Sequence, residues 1–182
     1  MLKKFNLFHS ILGIFFKNRP YDEKMVEISE QEYAVRAIVL DDIKDLLSIE
    51  REVYAGELPW TKTAFLVELQ SPDPHLYLLI QKNNQTIGFI GCRIFGSDAH
   101  ITNVAVLTKE QGKGIGSFLI REIQQFAKAN NCETISLEVR LSNKNAQRVY
   151  RQLGFLSNTI KPNYYTEDKE DALEMILYLK EV

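Results

Sequence analysis

The sequence predicts an α/β domain with a mixed sheet, and three observations lead to this class. Segments with the two-residue alternation of strands are interleaved with segments whose apolar residues recur every three or four positions, as on one face of a helix. Their order is strand, two helices, three strands, helix, strand, helix and a final pair of strands, which is an α/β arrangement. The 182 residues, 45% hydrophobic and 25% charged, suit a single soluble domain.

The first strand and two helices are predicted from their cap and stripe residues. "YAVRAIV" (33–39) alternates weakly as a strand, and Asp41 or Asp42 is placed to cap the following helix. "GELPW" breaks that helix, and "TKTAFLVELQ" predicts a second helix begun by Thr61. The apolar stripe of the first helix is formed by Ile43, Leu46, Leu47 and Val53.

Three strands are expected next. "HLYLLIQK" (75–82) and "TIGFIGCRIF" (86–95) are joined by "NNQ", which is a hairpin signal. "GSD" then makes a short turn into "AHITNVAV" (99–106). A glycine-rich loop follows this last strand.

The second half predicts helix, strand, helix and two final strands. The helix after the glycine loop runs for about 15 residues, and "ETISLEVR" (133–140) then alternates cleanly, so that its polar residues share one face. "SNKNAQRVYRQLGF" predicts a capped helix ending at Gly154, and "ALEMILYL" (172–179) predicts the last strand.

Charge and cysteine usage narrow the class of partner. The net charge is −2, but residues 1–20 hold four basic residues and no acid, which leaves −6 for the remainder. An acidic body favours a cationic partner over nucleic acid. Cys92 and Cys132 form no CxxC, and the three histidines show no metal-ligand spacing, so we expect a reduced, metal-free, cytoplasmic protein.

The amino terminus is predicted to be an extension of the domain. Residues 1–20 form an apolar, amphipathic segment that is too short to span a bilayer and has no small-residue cleavage site. It suits a helix docked on this domain or on a second copy, and residues 1–18 also suit a weak membrane-surface anchor. Residues 21–32 are interpreted as a polar linker, and residues 33–182 as the domain.

The loop "QGKGIGS" joins a predicted strand to a predicted helix, and its chemistry was compared with two phosphate motifs. It is not the GxxxxGK[ST] of P-loops, and its glycines read GxGxG where the dinucleotide fingerprint needs GxGxxG. Exposed backbone N–H groups and a helix start still favour an anion there. Taken alone, a tight turn explains the loop equally well.

Longer motifs resemble one superfamily. Gln111, Gly114 and Gly116 in "QGKGIG", followed by "ISLEVRLSNKNAQRVYRQLGF" and "KPNYYTEDKEDALEMIL", resemble the GCN5-related N-acetyltransferases (GNAT), and among them the bacterial ribosomal-protein-alanine N-acetyltransferases. "IEREVYAGELPWTKTAF" resembles the first two helices of that family. The likeness covers roughly residues 33–180.

The resemblance implies a fold and a cofactor site. The fold is a mixed, mostly antiparallel sheet, splayed at the cofactor site and flanked by helices. Acetyl-CoA is the implied co-substrate, held largely by backbone and by an asparagine at the start of the last helix. The implied cofactor-binding residues are Val104, Ala105, Val106, Gln111, Gly112, Lys113, Gly114, Ile115, Gly116, Ser117 and Asn143.

The resemblance also implies two catalytic side chains. Glu138 in "LEVR" corresponds to the general base and Tyr150 to the acid that protonates the leaving thiolate. Each has a simpler explanation: Glu138 as a surface carboxylate beside Arg140, and Tyr150 as an aromatic packing its helix on the sheet. Asn143 is also placed to cap its helix.

The acceptor side is implied by aromatic residues. Tyr164 and Tyr165, expected in the connection between the last two strands, would line a groove for a peptide amino terminus, with Trp60 on the same side. They could equally cover a sheet edge, and Trp60 could be core. The acidic run 166–171 suits a basic ribosomal-protein tail, or is simply a solvated turn.

Three functions therefore stay open from sequence. The first is acetylation of the N-terminal alanine of a small-subunit ribosomal protein. The second keeps the fold but acetylates a small amine or another protein amino terminus. The third is a non-catalytic acyl-CoA sensor, which the pairing of Glu138 with Tyr150 disfavours, since a sensor needs neither an acid nor a base.

Overall fold

A computed structural model describes residues 21–54, 56 and 59–179, and its centre is a large mixed sheet. Within those residues the sheet has eight strands in the order β1-β2-β3-β4-β5-β6-β8-β7. Neighbouring strands run antiparallel except β5 and β6, which are parallel. This confirms the predicted mixed, mostly antiparallel sheet. The strands are β1 (Lys24–Ile28), β2 (Gln31–Ala37), β3 (His75–Lys82), β4 (Gln85–Phe95), β5 (Asp98–Val106), β6 (Thr134–Arg140), β7 (Leu156–Tyr165) and β8 (Glu170–Tyr178).

The helices begin and end largely where the local signals predicted. Thr61 caps one by accepting the Ala64 N–H at 3.2 Å, Asn143 caps another by accepting the Ala146 N–H at 3.1 Å, and Gly154 follows it with φ +94°. No helix in the described ranges is long and apolar enough to cross a bilayer. The helices are α1 (Ile43–Val53), α2 (Lys62–Leu69), α3 (Ile115–Ala129) and α4 (Lys144–Gln152), with single 3₁₀ turns at Leu40–Asp42 and Thr108–Glu110.

One hydrophobic core joins the helices to the sheet. Phe65 of α2 packs edge-on against Phe89 of β4, and Leu119 of α3 is fully buried in the same cluster. On β6 the alternating residues Ile135, Leu137 and Val139 are buried, as their spacing predicted. Burying a side chain of this size contributes about 1.5–3 kcal/mol. The central strands therefore form a rigid base for the polar residues that alternate with the core.

The structure differs from the sequence-based expectation in three places. Lys24–Ile28, expected in a linker, form the outermost strand β1, whose mostly exposed side chains hide the strand signal. Asp42 does not cap α1; its carboxylate accepts the Val39 N–H and the Arg36 guanidinium instead. Asn163–Tyr165 lie at the end of β7 and not in the connection to β8. The extension predicted over residues 1–20 lies outside the described residues.

Candidate active site

A wedge opens in the sheet between β5 and β6. The two strands pair only at Asp98–His100 with Thr134–Ser136, and a bulge at Thr102 shifts the register of β5 against β4. Beyond it, Val104, Ala105 and Val106 pair with β4 on one side only. Their β6-facing backbone groups are thus available to a ligand, which is the splayed geometry expected from the resemblance.

The glycine loop continues from the end of β5 into α3. Gly112 and Gly114 have φ values of +77° and +88°, a left-handed conformation that favours glycine. The first turn of α3, with Ile115, Gly116 and Ser117, leaves its N–H groups without backbone acceptors in the described part of the chain, as helix starts do. These donors and the helix dipole fit a pyrophosphate.

Contacts on both sides hold the loop in place. Gln111 donates from Nε2 to the Val106 carbonyl at 2.9 Å, which ties the loop to the strand end. Lys113 pairs with Glu110 at 2.9 Å, so the charge of its ammonium is already partly neutralised without any phosphate. Ser29, in the β1–β2 turn, donates to the Lys113 carbonyl at 3.1 Å. Gln111 therefore has a structural role, and the donors that the loop offers to an anion are mainly backbone N–H groups.

Glu138 lies on the polar face of β6 with both oxygens engaged. Oε1 accepts the Lys161 ammonium at 2.6 Å, and Oε2 lies 3.3 Å from Nε2 of His100. Burial opposes ionisation, but hydrogen bonds and charge from His100 and Lys161 outweigh it and lower the pKa of Glu138 to about 2. Lys161 also pairs with Glu174 at 2.8 Å. Glu138 is therefore not the plain surface carboxylate that the simpler interpretation required.

Tyr150 of α4 is buried, and its ring lies 5.9 Å from that of Phe155. Its hydroxyl makes no hydrogen bond among the described residues. Burial raises the pKa of Tyr150, with a further rise from nearby Tyr54 and Tyr165. The hydroxyl thus stays protonated at neutral pH and is a free donor. The packing interpretation is also satisfied, because one ring serves both purposes.

Tyr164 and Tyr165 stand beside the same centre. Their rings lie 5.2 Å apart, and the Arg140 guanidinium lies 4.1 Å from the centre of the Tyr165 ring. Burial raises the pKa of Tyr165, and the charges of Tyr54, Tyr164 and Glu138 add to this rise. Tyr165 is therefore an electrostatic neighbour of both predicted catalytic residues, which connects Glu138 to the Tyr150 region.

Trp60 packs against the core, and its backbone contacts a buried carboxylate. Its ring packs against Phe65 at 5.2 Å and Tyr77 at 6.5 Å, as a core tryptophan would. Its backbone N–H donates to Glu50 at 2.9 Å.

The acidic turn between β7 and β8 is more than a solvated run of charges, because Arg140 pairs with Asp168 at 2.6 Å and Glu170 at 2.9 Å.

Two polar residues at this centre, and a third beside Trp60, were missed by sequence reasoning. His100 and Lys161 reach Glu138 from β5 and β7. The charge of these two residues was not part of the motifs that carried the resemblance. Glu50 of α1 is 1% exposed, and burial raises its pKa to about 7, although the Trp60 N–H and the nearby Asn103 amide lower it in part. A glutamate among the apolar positions of α1 was the one available signal.

Together the splayed wedge, the anion-binding loop and the carboxylate–tyrosine centre define a class: enzymes that transfer an acyl group from coenzyme A. A model of the acetyltransferase (GNAT) family matches residues 40–155, which is more than half of the chain. The chain belongs to the GNAT family. It is an acetyl-CoA-dependent acetyltransferase.

Individual relatives agree with this assignment. The chain is 38% identical over 149 residues to a candidate ribosomal protein bS18-alanine N-acetyltransferase of Bacillus subtilis, covering 81% of this chain and 97% of the relative. It is 32% identical over 141 residues to the Haemophilus influenzae ribosomal protein bS18-alanine N-acetyltransferase, covering 76% and 93%. The crystal structure of the ribosomal-protein-S18-alanine N-acetyltransferase from Escherichia coli superimposes with a TM-score of 0.73 at 28% identity, covering 82% and 96%.

Proposed function

We propose that this enzyme acetylates the N-terminal α-amino group of a protein, with the N-terminal alanine of a small-subunit ribosomal protein as acceptor. One observation supports an amine acceptor at this place: the buried Glu138 carboxylate binds a primary ammonium, that of Lys161, at 2.6 Å beside the wedge. An α-ammonium has the same chemistry. The relatives described above bear the name of ribosomal protein bS18-alanine N-acetyltransferases, which supports the finer assignment.

The residues of the wedge suit the binding of acetyl-CoA. The start of α3 and the loop offer unpaired N–H groups to phosphate, and residues 104–106 offer backbone groups to the pantetheine arm and the thioester carbonyl. Asn143 is placed at the opposite side of the wedge, and its cap bond to Ala146 uses only Oδ1. Acetyl-CoA supplies the activated acetyl group and a thiolate leaving group.

The side chains divide the proton transfers between them. The acceptor ammonium first loses one proton to Glu138. Its nitrogen then forms the new C–N bond as the C–S bond breaks, and its second proton is taken up by the departing sulfur, so that coenzyme A leaves as a thiol and one net proton stays on Glu138. Tyr150 donates its free O–H to the departing sulfur. Because a thiol has a pKa near 8.5 and burial raises the pKa of Tyr150, the hydroxyl stabilises the thiolate mainly by hydrogen bonding.

The acceptor groove suits a basic peptide. After the larger effect of burial, the charge of nearby Glu138 raises the pKa of both Tyr164 and Tyr165 further, and the neighbouring β7–β8 turn carries Glu167 and Asp168. Opposite charge favours encounter with a cationic tail and makes it weaker in salt. A ribosomal protein as acceptor places the reaction in the cytoplasm.

The test is a thiol-release assay with acetyl-CoA and a matched set of peptides. We expect release with a basic peptide that starts with alanine, and none with the same peptide blocked at its amino terminus. Mass spectrometry should place the acetyl group on the α-amino nitrogen. No turnover of any peptide, combined with turnover of a small amine, would show that the acceptor assignment is wrong.

A further inference from the structure

A continuous chain of hydrogen bonds leads away from Glu138 along β5 and β6. Oε2 of Glu138 lies 3.3 Å from Nε2 of His100, and Nδ1 of His100 lies 2.9 Å from the Ser136 hydroxyl. Ser136 in turn donates to Oδ2 of Asp98 at 2.5 Å. Thr134 donates to the other oxygen of Asp98 at 2.6 Å, outside this chain. The chain thus joins an interior carboxylate to Asp98, beside the exposed turn at Gly96 and Ser97.

The donors and acceptors of this chain fix how many protons it holds. Because an ionised Asp98 only accepts, the Ser136 hydroxyl donates to it and Nδ1 of His100 must donate to Ser136. Nε2 and the facing Glu138 oxygen then need one proton between them, on either atom, to avoid two opposed lone pairs. In the alternative arrangement Asp98 holds the proton, Ser136 donates to Nδ1, and Nε2–H donates to Glu138. Every satisfied arrangement holds one acidic proton.

We propose that His100 and Ser136 form a proton relay from Glu138 to Asp98, which removes the proton that each acetyl transfer releases. A proton moves from Oε2 of Glu138 to Nε2, the Nδ1 proton moves to Ser136 Oγ, and the Ser136 hydroxyl proton moves to Oδ2 of Asp98. One proton leaves Glu138 and one reaches Asp98. Asp98 then releases that proton to water. The Ser136 hydroxyl and the His100 imidazole return to their first orientations, which resets the chain.

The surroundings explain why such a path is useful. The Glu138 side chain is only 9% exposed, and a bound peptide would cover it further. Its other oxygen faces Lys161, a cation with no capacity to accept a proton. On β4, the register partner of His100 is Arg93, whose charge is paired with Glu68 at 2.8 Å. Among the described residues that contact Glu138, the imidazole of His100 is therefore the group that can take up its proton.

This inference rests on the proposed role of Glu138, and the test compares Ser136→Ala with Thr134→Val. The first change breaks the relay, whereas the second removes a bond to the same Asp98 without breaking it. We expect Ser136→Ala to lower kcat about 10-fold or more in dilute buffer, with KM for acetyl-CoA unchanged and kcat restored by added imidazole. Thr134→Val should stay insensitive to buffer. Equal losses in both variants, or a Ser136→Ala loss that no buffer changes, would overturn the relay.

A second measurement on the ligand-free protein separates this inference from the proposed acceptor. The ¹⁵N spectrum of the imidazoles should show a protonated Nδ1 of His100 that is protected from solvent exchange, with His100→Gln identifying its signals among the three histidines. Ser136→Ala should remove this protection. An Nδ1 that carries no proton while Asp98 is ionised would overturn the relay, whereas failure of every peptide to react, with Nδ1 as expected, overturns only the acceptor assignment.

Discussion

Glu50 gives a quantitative test of the electrostatics around Trp60. Burial raises its pKa from the ordinary 4.5 to about 7. A carboxyl that holds its proton more tightly in the folded state destabilises the fold increasingly as pH rises from about 4.5 to about 7, and by a constant amount above that. The shift of about 2.5 units corresponds to about 3 kcal/mol at about 1.36 kcal/mol per unit.

Glu50→Gln removes this penalty with little change of shape. The glutamine keeps an oxygen for the Trp60 N–H, now 2.9 Å from the carboxylate, but has no charge to bury. We expect equal free energies of unfolding in urea for variant and parent at pH 4. At pH 8 the variant should be more stable by about 2–3 kcal/mol. A difference that is the same at both pH values, or a loss of stability at pH 8, would refute the reasoning.

Glu170→Gln provides a control of opposite sign. Hydrogen bonds from Ser142 and Arg140 lower the pKa of Glu170 to about 2. The stability that this carboxylate contributes is therefore present above about pH 4.5 and is lost as pH falls toward 2. This variant should be less stable than the parent at pH 8, and the difference should shrink in acid. Opposite signs for the two variants exclude a general effect of losing one negative charge.

Three further changes test the loop and the catalytic centre. Tyr150→Phe should lower kcat about 100-fold with KM for acetyl-CoA unchanged, because it removes only a donor; an unaltered kcat in steady-state assays would eliminate that role. Gly114→Ala should raise KM for acetyl-CoA, because a φ of +88° strains alanine by about 1–2 kcal/mol. The control Gly96→Ala, at φ +58° in a distant turn, should leave this KM unchanged. Lys161→Met should raise the pKa of Glu138 by about 1–3 units in a carboxyl ¹³C NMR titration; a midpoint shared with Lys161→Arg would contradict the ion pair.

Turn residues and helix caps account for most of the elements that were predicted correctly from the sequence. Asn83 and Asn84 both adopt positive φ between β3 and β4, as a two-residue hairpin turn requires. Asn143 caps α4, and Gly154 ends it in the left-handed conformation. Such features depend on residues a few positions apart. Strand β1 escaped prediction because Met25 is 64% exposed at an edge, where polar neighbours mask the alternation.

The centre of the site depended on contacts that no local pattern contains. His100, Glu138 and Lys161 lie on three different strands, and they meet only because of the register of β5, β6, β8 and β7. The wedge likewise follows from the end of β5–β6 pairing after His100. Family resemblance supplied Glu138 and Tyr150, but it carried no information on what holds Glu138 in this chain. The partners of a charged group such as Glu138 therefore follow from the three-dimensional arrangement of the strands and not from a local sequence pattern.

The Lys161 ion pair must be exchanged before a carboxylate with a pKa of about 2 can act as the proposed base. Against an α-amino group with a pKa near 8, the gap of about 6 units would cost about 8 kcal/mol for direct proton transfer. An acceptor ammonium that takes the place of Lys161 at Oε1 carries the same charge, so this exchange alone leaves the pKa of Glu138 low, while Lys161 keeps Glu174 at 2.8 Å. The peptide also covers Glu138, which strengthens the burial effect that already opposes ionisation. Burial by the peptide therefore raises the basicity of Glu138 only when the acceptor is bound, and the resting ion pair satisfies a buried charge until the substrate amine replaces it.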